Sequence, residues 1–422
     1  MRAFTITDFR SPGPSTAGAK LARAIAVLSV IAFGLAAGPV SAATCRTPNP
    51  AGFPAWLQSF KQKAVAEGVS PQTVNSALAG VRYDRSVINK DRAQHVFAQD
   101  FLQFSGRMVA SYRLQHGAAN IKKYGNTFSR IQQQFGVPAP VITAFWGLET
   151  DFGANTGNGP TLQSLATLAF DCRRSEEFNE QLMAALRIID RGDLTPGQMR
   201  GPWAGELGQT QFLPTVYYEY GVDYDGDGHV NLIRSTPDAL ASTANYLKHL
   251  GWRAGEPWLE EVRVPASMPW ELADLTIKKP RALWSRFGVT RADGSPLPED
   301  NLPAALILPM GRNGPAFLAY PNFDVYIEWN QSLVYSLTAA YFATRLAGAP
   351  PLSKGRAPVE PFSMEETKQL QTLLLQRGYD VGKVDGVIGE KTREAVRDVQ
   401  VKLGLPADSY PDHRLLAALQ RG

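Results

Sequence analysis

The chain is poor in the residues on which several large enzyme classes depend. It has five histidines and two cysteines among 422 residues. No histidine pair shows the HExxH spacing of a zinc-binding helix. No GxSxG motif or cysteine–histidine arrangement suggests an acyl-transferring nucleophile either. These absences argue against a zinc peptidase or amidase and against a serine or cysteine hydrolase.

Excess charge is also scarce. Charged residues make up 19% of the chain, and the net charge of +4 falls almost to neutral without residues 1–42, which hold four basic residues and one acidic residue. No long basic cluster occurs anywhere. Because nucleic-acid binding requires a basic surface that neutralises phosphates, we expect no nucleic-acid partner.

Residues 1–42 have the pattern of a secretory signal peptide. Basic residues precede the apolar run AIAVLSVIAFGLAAG, and the small residues VSA and SAA follow it. Cleavage is predicted near Ala42 or Ala43. A membrane anchor is the alternative, but the run of about 15 residues is shorter than the roughly 20 that span a bilayer.

Both cysteines, Cys45 and Cys172, lie in the exported part of the chain. In an oxidising compartment two thiols usually pair, so a disulfide between them is predicted. Two buried free thiols are the alternative. Lipidation of Cys45 is disfavoured because the preceding AAT lacks the apolar residue that such signals carry.

The exported chain divides into two folded units, since 422 residues exceed the usual size of a single core. Residues 43–347 show helical apolar spacing, interrupted between 255 and 325 by prolines and short apolar stretches that predict a strand-bearing insert. The fold class is therefore α+β and mainly α. Residues 348–361, GAPPLSKGRAPVEP, predict an extended linker that tethers the tail.

The tail, residues 362–422, predicts three helices. Ser363 and Glu366 form a capping-box signature ahead of the first helix. The elements LQxxLxxxGY, VDGVIGxxTxxAVxxxQ and the terminal LLAAL resemble the three-helix peptidoglycan-binding domain of bacterial wall enzymes. The resemblance implies peptidoglycan glycan strands as the partner. The tail has GLPADSYPD where that family often reads GLxxDG, so ligand contacts are not carried over to this stretch.

A single acid, Glu149, follows the apolar helix VPAPVITAFWGL in the stretch WGLETDFG. A carboxyl group partly removed from water prefers its neutral form, so its pKa rises toward values useful for a general acid. The helix dipole acts in the same direction at a helix C-terminus. Composition alone favours an ordinary exposed glutamate at a helix end.

The run ETDFG fits the Glu-Thr/Ser-x-x-Gly signature of lytic transglycosylases. Neighbouring stretches resemble the membrane-bound lytic murein transglycosylase B family: FGVPAPVITAFWGLETDFG, TLQSLATLAFDCRRSEEF, PWAGELGQTQFLPTVYYEYGVDYDGDGHVNL and ALASTANYLKHLGW. They span positions 135–252, with weaker similarity over 53–346. The resemblance implies a periplasmic lyase with a lysozyme-like catalytic domain. Glu149 would protonate the bridging oxygen of the β-1,4 MurNAc–GlcNAc bond and then, as base, activate the C6 hydroxyl that closes a 1,6-anhydro ring.

Two other functions stay open at this point. Ordinary glycosidases use two carboxylates, and a distant second acid would make the protein a hydrolysing, lysozyme-like muramidase. Asp151 is a poor second acid because residues two apart do not share a helix face. The other alternative is a peptidoglycan-binding scaffold with a degenerate catalytic domain.

Further site residues follow from the resemblance. Gln211, in the glycine-bounded loop GELGQTQF, would bind the saccharide by hydrogen bonds; the alternative is an ordinary loop glutamine. Asn330 would orient an acetamido group or water, or else cap a helix. The remaining expected cleft positions are Tyr246, Tyr335 and Phe178, the last offering only stacking because the family often has tyrosine there.

The stretch DYDGDGHVNLIR has the oxygen-rich spacing of a calcium loop. Carboxylates occupy loop positions one, three and five, a glycine position six, and the His229 carbonyl position seven. Position twelve is Arg234 instead of glutamate, and the resemblance implies that Asp238 supplies the missing carboxylate. The sequence thus predicts a structural Ca²⁺ and no organic cofactor; an Asp- and Gly-rich turn without metal is the alternative. The loop carboxylates are Asp223, Asp225 and Asp227.

Overall fold

The computed structural model describes Cys45, residues 48–93 and residues 99–421. The signal peptide predicted for residues 1–42 lies outside the described residues. The described helices are α1 Phe53–Ala66, α2 Pro71–Ala77, α3 Arg85–Arg92, α4 Phe101–Met108, α5 Ser111–Lys123, α6 Gly125–Phe135, α7 Ala139–Thr150, α8 Thr161–Phe170, α9 Ser175–Asp190, α10 Pro214–Tyr220, α11 Thr236–His249, α12 Arg281–Arg286, α13 Pro321–Trp329, α14 Leu333–Leu346, α15 Met364–Gln376, α16 Glu390–Lys402 and α17 His413–Arg421. The strands are β1 Gly159–Pro160, β2 Arg200–Gly201, β3 Leu259–Arg263, β4 Lys278–Pro280, β5 Thr290–Arg291, β6 Pro303–Ile307 and β7 Ala316–Ala319.

Helix α7 lies inside the helical unit. Its sequence is apolar on every face, and nine of its twelve residues, all except Ala139, Pro140 and Glu149, are buried. A helix that is apolar all round must be surrounded by other elements, and α7 packs against α5, α6, α11 and α14. The single acid of this helix is therefore carried by one of the most enclosed elements of the fold.

The insert forms a five-stranded antiparallel sheet in the order β4-β6-β7-β3-β5. Leu306 pairs with Leu318, and both side chains belong to a small separate core with Trp284 and Tyr320. The strand-bearing insert predicted between 255 and 325 is confirmed. The α+β, mainly α fold class is confirmed as well.

The tail is docked on the insert, whereas its composition predicted only a tether. Arg312 Nη1 lies 2.9 Å from Asp408 Oδ2, and Arg397 pairs with Asp274. Arg393 donates hydrogen bonds from α16 to the carbonyl oxygens of the segment that follows β6. Because these guanidinium groups are largely buried, the tail packs against the insert through charge-assisted hydrogen bonds.

A disulfide ties Cys45, the first described residue, to the helical unit. Cys45 and Cys172 form a disulfide with their Cα atoms 5.6 Å apart. Beside it, Arg92 Nη2 lies 2.7 Å from Asp171 Oδ2. Among the described residues, no helix combines the length and hydropathy needed to cross a membrane.

Candidate active site

Glu149 lies in the last turn of α7, where the backbone turns sharply. The helix ends at Thr150, and the three residues that follow it, Asp151, Phe152 and Gly153, have φ values of 51°, 61° and 85°. The left-handed region is uncommon for residues other than glycine, and such strain concentrates at functional sites. The sharp end stops the helix directly beyond the acid, so Glu149 is presented at its terminus.

Two donors from the α13–α14 corner hold the Glu149 carboxyl group. Tyr335 Oη, in the first turn of α14, donates a hydrogen bond to Glu149 Oε1. Trp329 Nε1, at the end of α13, donates to the same oxygen at 3.0 Å. Because both bonds reach Oε1, Oε2 is the oxygen left to donate or accept a proton.

Burial governs the acidity of this group. Glu149 keeps some exposed surface, but its carboxyl end is enclosed by protein, and this burial raises the pKa above the usual range for glutamate. The bonds from Tyr335 and Trp329 favour the carboxylate and only partly oppose that rise. Burial also raises the pKa of Tyr335 well above its normal value, so its hydroxyl remains a neutral donor. A carboxyl group in this setting can donate a proton and later reclaim it.

An aromatic wall surrounds the acid. The Trp329 ring centroid lies 4.3 Å from that of Phe145, 5.6 Å from that of Phe212 and 5.7 Å from that of Tyr246. Tyr246, expected in the cleft, is 7% exposed. All four rings are buried, so the wall lowers the polarity around Glu149.

The glutamine loop is fastened to the end of α7. Thr150 Oγ1 donates to the Gln209 carbonyl oxygen at 2.5 Å, and Leu207 and Phe212 bridge across the loop by two backbone hydrogen bonds. Gln211 has a φ of 55°, and its Nε2 donates to the Gly208 carbonyl oxygen at 2.8 Å. The structure therefore brings Gln211 next to the segment that carries Glu149, in a strained backbone conformation.

Asp151 is bonded to side chains of α5. Its Oδ1 accepts a hydrogen bond from Arg113 Nε at 2.8 Å, and Tyr112 Oη contacts both of its oxygens. Arg113 is 2% exposed, so a charge on Asp151 neutralises a buried guanidinium. Asp151 therefore serves the packing of α5 on α7 and does not act as a second catalytic acid.

Two expected cleft residues have other surroundings. Phe178 is 1% exposed and lies under the Arg174 guanidinium, 4.7 Å from its ring centroid, so it presents no open face to a sugar. Asn330 is 9% exposed, and its Oδ1 accepts from Ser332 N at 2.9 Å. Ser332, and not Asn330, is the N-cap of α14. Asn330 thus stabilises the turn between α13 and α14, which positions Tyr335.

Sequence reasoning missed two residues. Trp329 directly precedes Asn330 in EWNQSL, and an indole N–H beside an expected cleft residue could have been recognised as a donor. Glu206 stands in GELGQTQF and is 7% exposed. Burial and the nearby Glu149 charge raise the pKa of Glu206 to about 7. An acidic residue between two glycines, in a loop whose other polar residues are uncharged, was the available signal.

The acidic loop brings three of its expected ligands together. The carboxylates of Asp223, Asp225 and Asp227 lie within 4.8 Å of one another. In the part of the chain that the structure describes, none of the three forms an ion pair. Asp238 is different: it is fully buried, and its two oxygens accept from the N–H groups of Tyr224, Asp225 and Asn231. Asp238 therefore fixes the loop backbone, and the three converging carboxylates are the donor set that suits a hard cation.

Two family models match this chain. Residues 52–344 match the model described as transglycosylase SLT domain, and residues 363–419 match the putative peptidoglycan binding domain. SltB3 from Pseudomonas aeruginosa, solved in complex with NAG-anhNAM-pentapeptide, has a TM-score of 0.81 and 41% identity, covering 87% of this chain and 99% of that chain. Escherichia coli lytic transglycosylase Slt35, solved in complex with calcium, has a TM-score of 0.60 and 28% identity, covering 69% of this chain and 92% of that chain.

The membrane-bound lytic murein transglycosylase B of Escherichia coli strain K12 is 29% identical over 238 residues, 56% of this chain. The chain spans 64% of the length of that relative. The lysozyme-like character expected of the helical unit and the helical wall-binding tail are both confirmed. With a matching model over most of the chain and a 41% identical relative, the protein belongs to the transglycosylase SLT domain family and carries a C-terminal peptidoglycan-binding domain.

Proposed function

We propose that the protein is a periplasmic lytic transglycosylase that cleaves the β-1,4 bond between N-acetylmuramic acid and N-acetylglucosamine and leaves 1,6-anhydro ends. The observation that carries the proposal is Glu149, enclosed at the end of α7 with both donors on one oxygen. The similarity to SltB3, solved with NAG-anhNAM-pentapeptide, supports the same product chemistry.

In this mechanism Glu149 Oε2 gives its proton to the bridging oxygen, and the bond to the muramic acid C1 breaks. The resulting carboxylate accepts the proton of the muramic acid C6 hydroxyl, whose oxygen closes on C1. Proton donation leaves the group in the form that the second step needs, so a single acid serves both steps. Tyr335 and Trp329 hold Oε1 throughout.

The neighbouring residues position the saccharide. Gln211 lies in the loop fastened to the end of α7, and its amide nitrogen donates to the Gly208 carbonyl oxygen. Tyr246 contributes to the aromatic wall near Trp329. Asn330 lies at the corner that delivers Tyr335. We assign them to substrate binding, with Tyr335 contacting the catalytic acid directly.

Glu206 favours a second function, hydrolysis by a muramidase. It is a buried carboxyl group whose pKa is influenced by Glu149, as expected of a paired acid. Glu206 is only 7% exposed and its Oε2 is fully buried, whereas Glu149 keeps some exposed surface, so Glu206 is the less accessible group for activating water. The lytic reaction is therefore the better-supported function.

Product mass separates the possibilities. Purified peptidoglycan is digested with the protein, and the muropeptides are analysed by mass. Anhydro ends, each lighter by one water than a reducing end, are expected. Reducing ends would establish a muramidase, and intact strands would leave a non-catalytic wall binder.

The matched variant is Glu149→Gln, which keeps the shape of the side chain and removes the acid. It should abolish cleavage and leave sedimentation with insoluble peptidoglycan unchanged, because the tail provides binding. Retained turnover in this variant would remove Glu149 from its role.

A structural Ca²⁺ is part of the proposal. Three carboxylates that converge without an ion-paired cation fit such an ion. Asp223, Asp225 and Asp227 would hold it with the His229 carbonyl, while Asp238 orders the loop from beneath. The ion would neutralise the loop carboxylates and stabilise the fold.

We assign residues 43–347 to cleavage, 348–361 to the connection and 362–422 to wall binding. The periplasmic location is supported by the basic, apolar and small-residue pattern of residues 1–42. N-terminal sequencing of the mature protein should begin near Ala43. A mature chain that begins at Met1 would exclude the cleaved signal.

A further inference from the structure

Beside the glutamine loop lies a cavity of about 220 Å³ that the proposed reaction does not use. Residues 156–158 line part of it, and the Thr156 carbonyl oxygen accepts a hydrogen bond from Gln211 Nε2 at 3.4 Å. Ile233 also lines the cavity, and its carbonyl oxygen accepts from Gln209 Nε2 at 3.4 Å. Two parts of the lining are therefore bonded to the loop that is fastened to the end of α7.

The charged groups of this cavity have one sign. Arg200 of β2 and Arg234 are among the described residues that line it, and no acidic residue is. Arg234 occupies position twelve of the acidic loop, where a calcium loop usually has glutamate. The residue that departs from the calcium pattern thus contributes a cation to the neighbouring cavity. A concave site with two guanidinium groups and no carboxylate attracts anions.

Arg200 is fixed by a neutral partner. Its Nε donates to Asn158 Oδ1 at 2.6 Å, and its Nη2 donates to the Asn158 carbonyl oxygen at 2.9 Å. Its Nη1 bonds to no described residue. Because the bonds from Asn158 carry no charge, they orient the guanidinium group and leave its positive charge uncompensated.

Arg234 is anchored by its backbone. Its N–H donates to Asn231 Oδ1 at 3.0 Å, whereas its guanidinium group forms no hydrogen bond or ion pair within the part of the chain that the structure describes. Guanidinium groups bind carboxylates through two parallel N–H donors. The two arginines therefore offer charged donors to a carboxylate ligand.

The chemistry of peptidoglycan identifies the source of such a carboxylate. Where a stem peptide is attached, the lactyl group of muramic acid is in amide linkage, so the negative charge of the strand lies on the peptide. No aromatic residue is among the lining residues, so the cavity lacks ring faces for a sugar. Its volume is below the roughly 300 Å³ at which pockets for drug-sized ligands begin, which suits one end of a larger molecule. An extended pentapeptide spans up to about 17 Å, so the charged group can bind at a distance from its sugar.

We propose that Arg200 and Arg234 form a binding site for a carboxylate of the peptide stem, through which the protein prefers strands with acidic stems. This inference rests on the proposed function, in which peptidoglycan is the substrate. The site binds and takes no part in the chemistry. A stem carboxylate held there lowers KM and leaves kcat unchanged, because the contact is the same in the ground state and in the transition state.

The test measures KM and kcat of the full-length protein on soluble, uncrosslinked strands with intact stems, and on the same strands after amidation of their carboxyl groups. Intact stems keep the lactyl group in amide linkage, so amidation removes only charges of the peptide. Arg200→Gln combined with Arg234→Gln should raise KM on the acidic strands about threefold to tenfold, as expected for two exposed ion pairs, with kcat unchanged. On amidated strands the KM values of variant and wild type should agree within about twofold.

Arg82→Gln is the matched control. It removes an exposed guanidinium group between α2 and α3 and should leave KM unchanged on both substrates. Because variant and wild type are compared on the same strands, any effect of amidation on binding by the tail cancels. A rise in KM of equal size on acidic and amidated strands would overturn the proposal by showing a structural role. An unchanged KM on acidic strands would overturn it as well.

A second measurement does not depend on turnover. In the full-length protein labelled with ¹⁵N-arginine, the Nε resonances of Arg200 and Arg234 are identified by their absence in Arg200→Gln and Arg234→Gln. A synthetic stem pentapeptide at millimolar concentration should shift both resonances, and its fully amidated form should shift neither. Such shifts support the site even if the protein releases no anhydro ends, in which case only the proposed function fails. An absence of shifts, or equal shifts with inorganic phosphate, would overturn the site even if lysis is confirmed.

Discussion

Tyr335 donates a hydrogen bond to Oε1 of Glu149 across 186 positions of the chain. The two residues meet because α14 packs along α7 and its first turn faces the last turn of α7. The phenol is buried and neutral, so it acts as a fixed donor. Packing between two helices thus produces the orientation of the Glu149 carboxyl group.

Tyr335→Phe should slow cleavage with little effect on peptidoglycan binding. A hydrogen bond to a charged group contributes about 1.5–3 kcal/mol, so kcat should fall on the order of tenfold to a hundredfold. The bond favours the carboxylate and lowers the pKa of Glu149. Its loss raises that pKa further and should move the alkaline limb of the rate profile to higher pH.

The matched control for this change is Tyr326→Phe. Tyr326 is a fully buried tyrosine whose Oη has no hydrogen-bond partner among the described residues. Removal of that hydroxyl should leave the rate within about twofold and should not destabilise the protein, because no bond is lost. Equal losses of rate in the two variants would show that Tyr335 does not act through its hydroxyl.

Local patterns explain which parts of the site could be predicted. Glu149 was recognisable because a charge follows an apolar helical run, and the acidic loop because its spacing is fixed within twelve residues. Trp329 and Glu206 were missed because their importance arises from contacts over long sequence distances. Trp329 reaches Glu149 across 180 positions, and no local period records such a contact. For Phe178 the sequence suggested a residue in the cleft, whereas the Arg174 guanidinium lies over its ring.

The fold, too, was predictable where it depends on local sequence patterns and not where it depends on long-range contacts. Apolar spacing predicted the helices, and prolines with short apolar stretches predicted the insert. Docking of the tail depends on Arg312 and Arg397 pairing with acids far away in the chain. The linker composition, which favours an extended chain, carries no information about those pairs.

Calcium should stabilise the protein through the acidic loop. At a free concentration one hundred times the Kd, a bound ion adds about 2.7 kcal/mol, which raises Tm by a few degrees. Asp225→Asn combined with Asp227→Asn should abolish the rise, because two of the three converging carboxylates are lost. Thermal unfolding in calcium and in chelator checks this. Glu299→Gln, on the exposed surface of the insert, is the control that should keep the rise. An equal Tm in calcium and chelator would reject a stabilising ion.

Loss of the disulfide should destabilise the helical unit. Cys45 and Cys172 are separated by 127 positions, and closure of a loop of this size in the unfolded chain contributes up to about 5 kcal/mol. Cys45→Ala and the double variant with Cys172→Ala should lower Tm by similar amounts, since either change removes the same bond. Labelling of both cysteines by a thiol reagent in the denatured, unreduced protein would contradict the pairing.

Glu206 should also make the stability of the folded protein depend on pH. Its pKa is about 7 in the folded state against 4.5 as the ordinary value. A group whose pKa is raised on folding contributes its stability fully below the unfolded value, and that contribution is lost as pH rises through the folded value. The free energy of unfolding should therefore fall by about 3 kcal/mol between pH 4 and pH 8 through this group.

Glu206→Gln should remove that fall, because an amide does not ionise. The amide adds a constant cost for its buried donors, so the informative quantity is the change in stability with pH and not its value at one pH. Urea unfolding at pH 4 and at pH 8 measures it for both proteins. A fall between pH 4 and pH 8 that is as large in Glu206→Gln as in the wild type would show that Glu206 is not a group that must charge inside the fold.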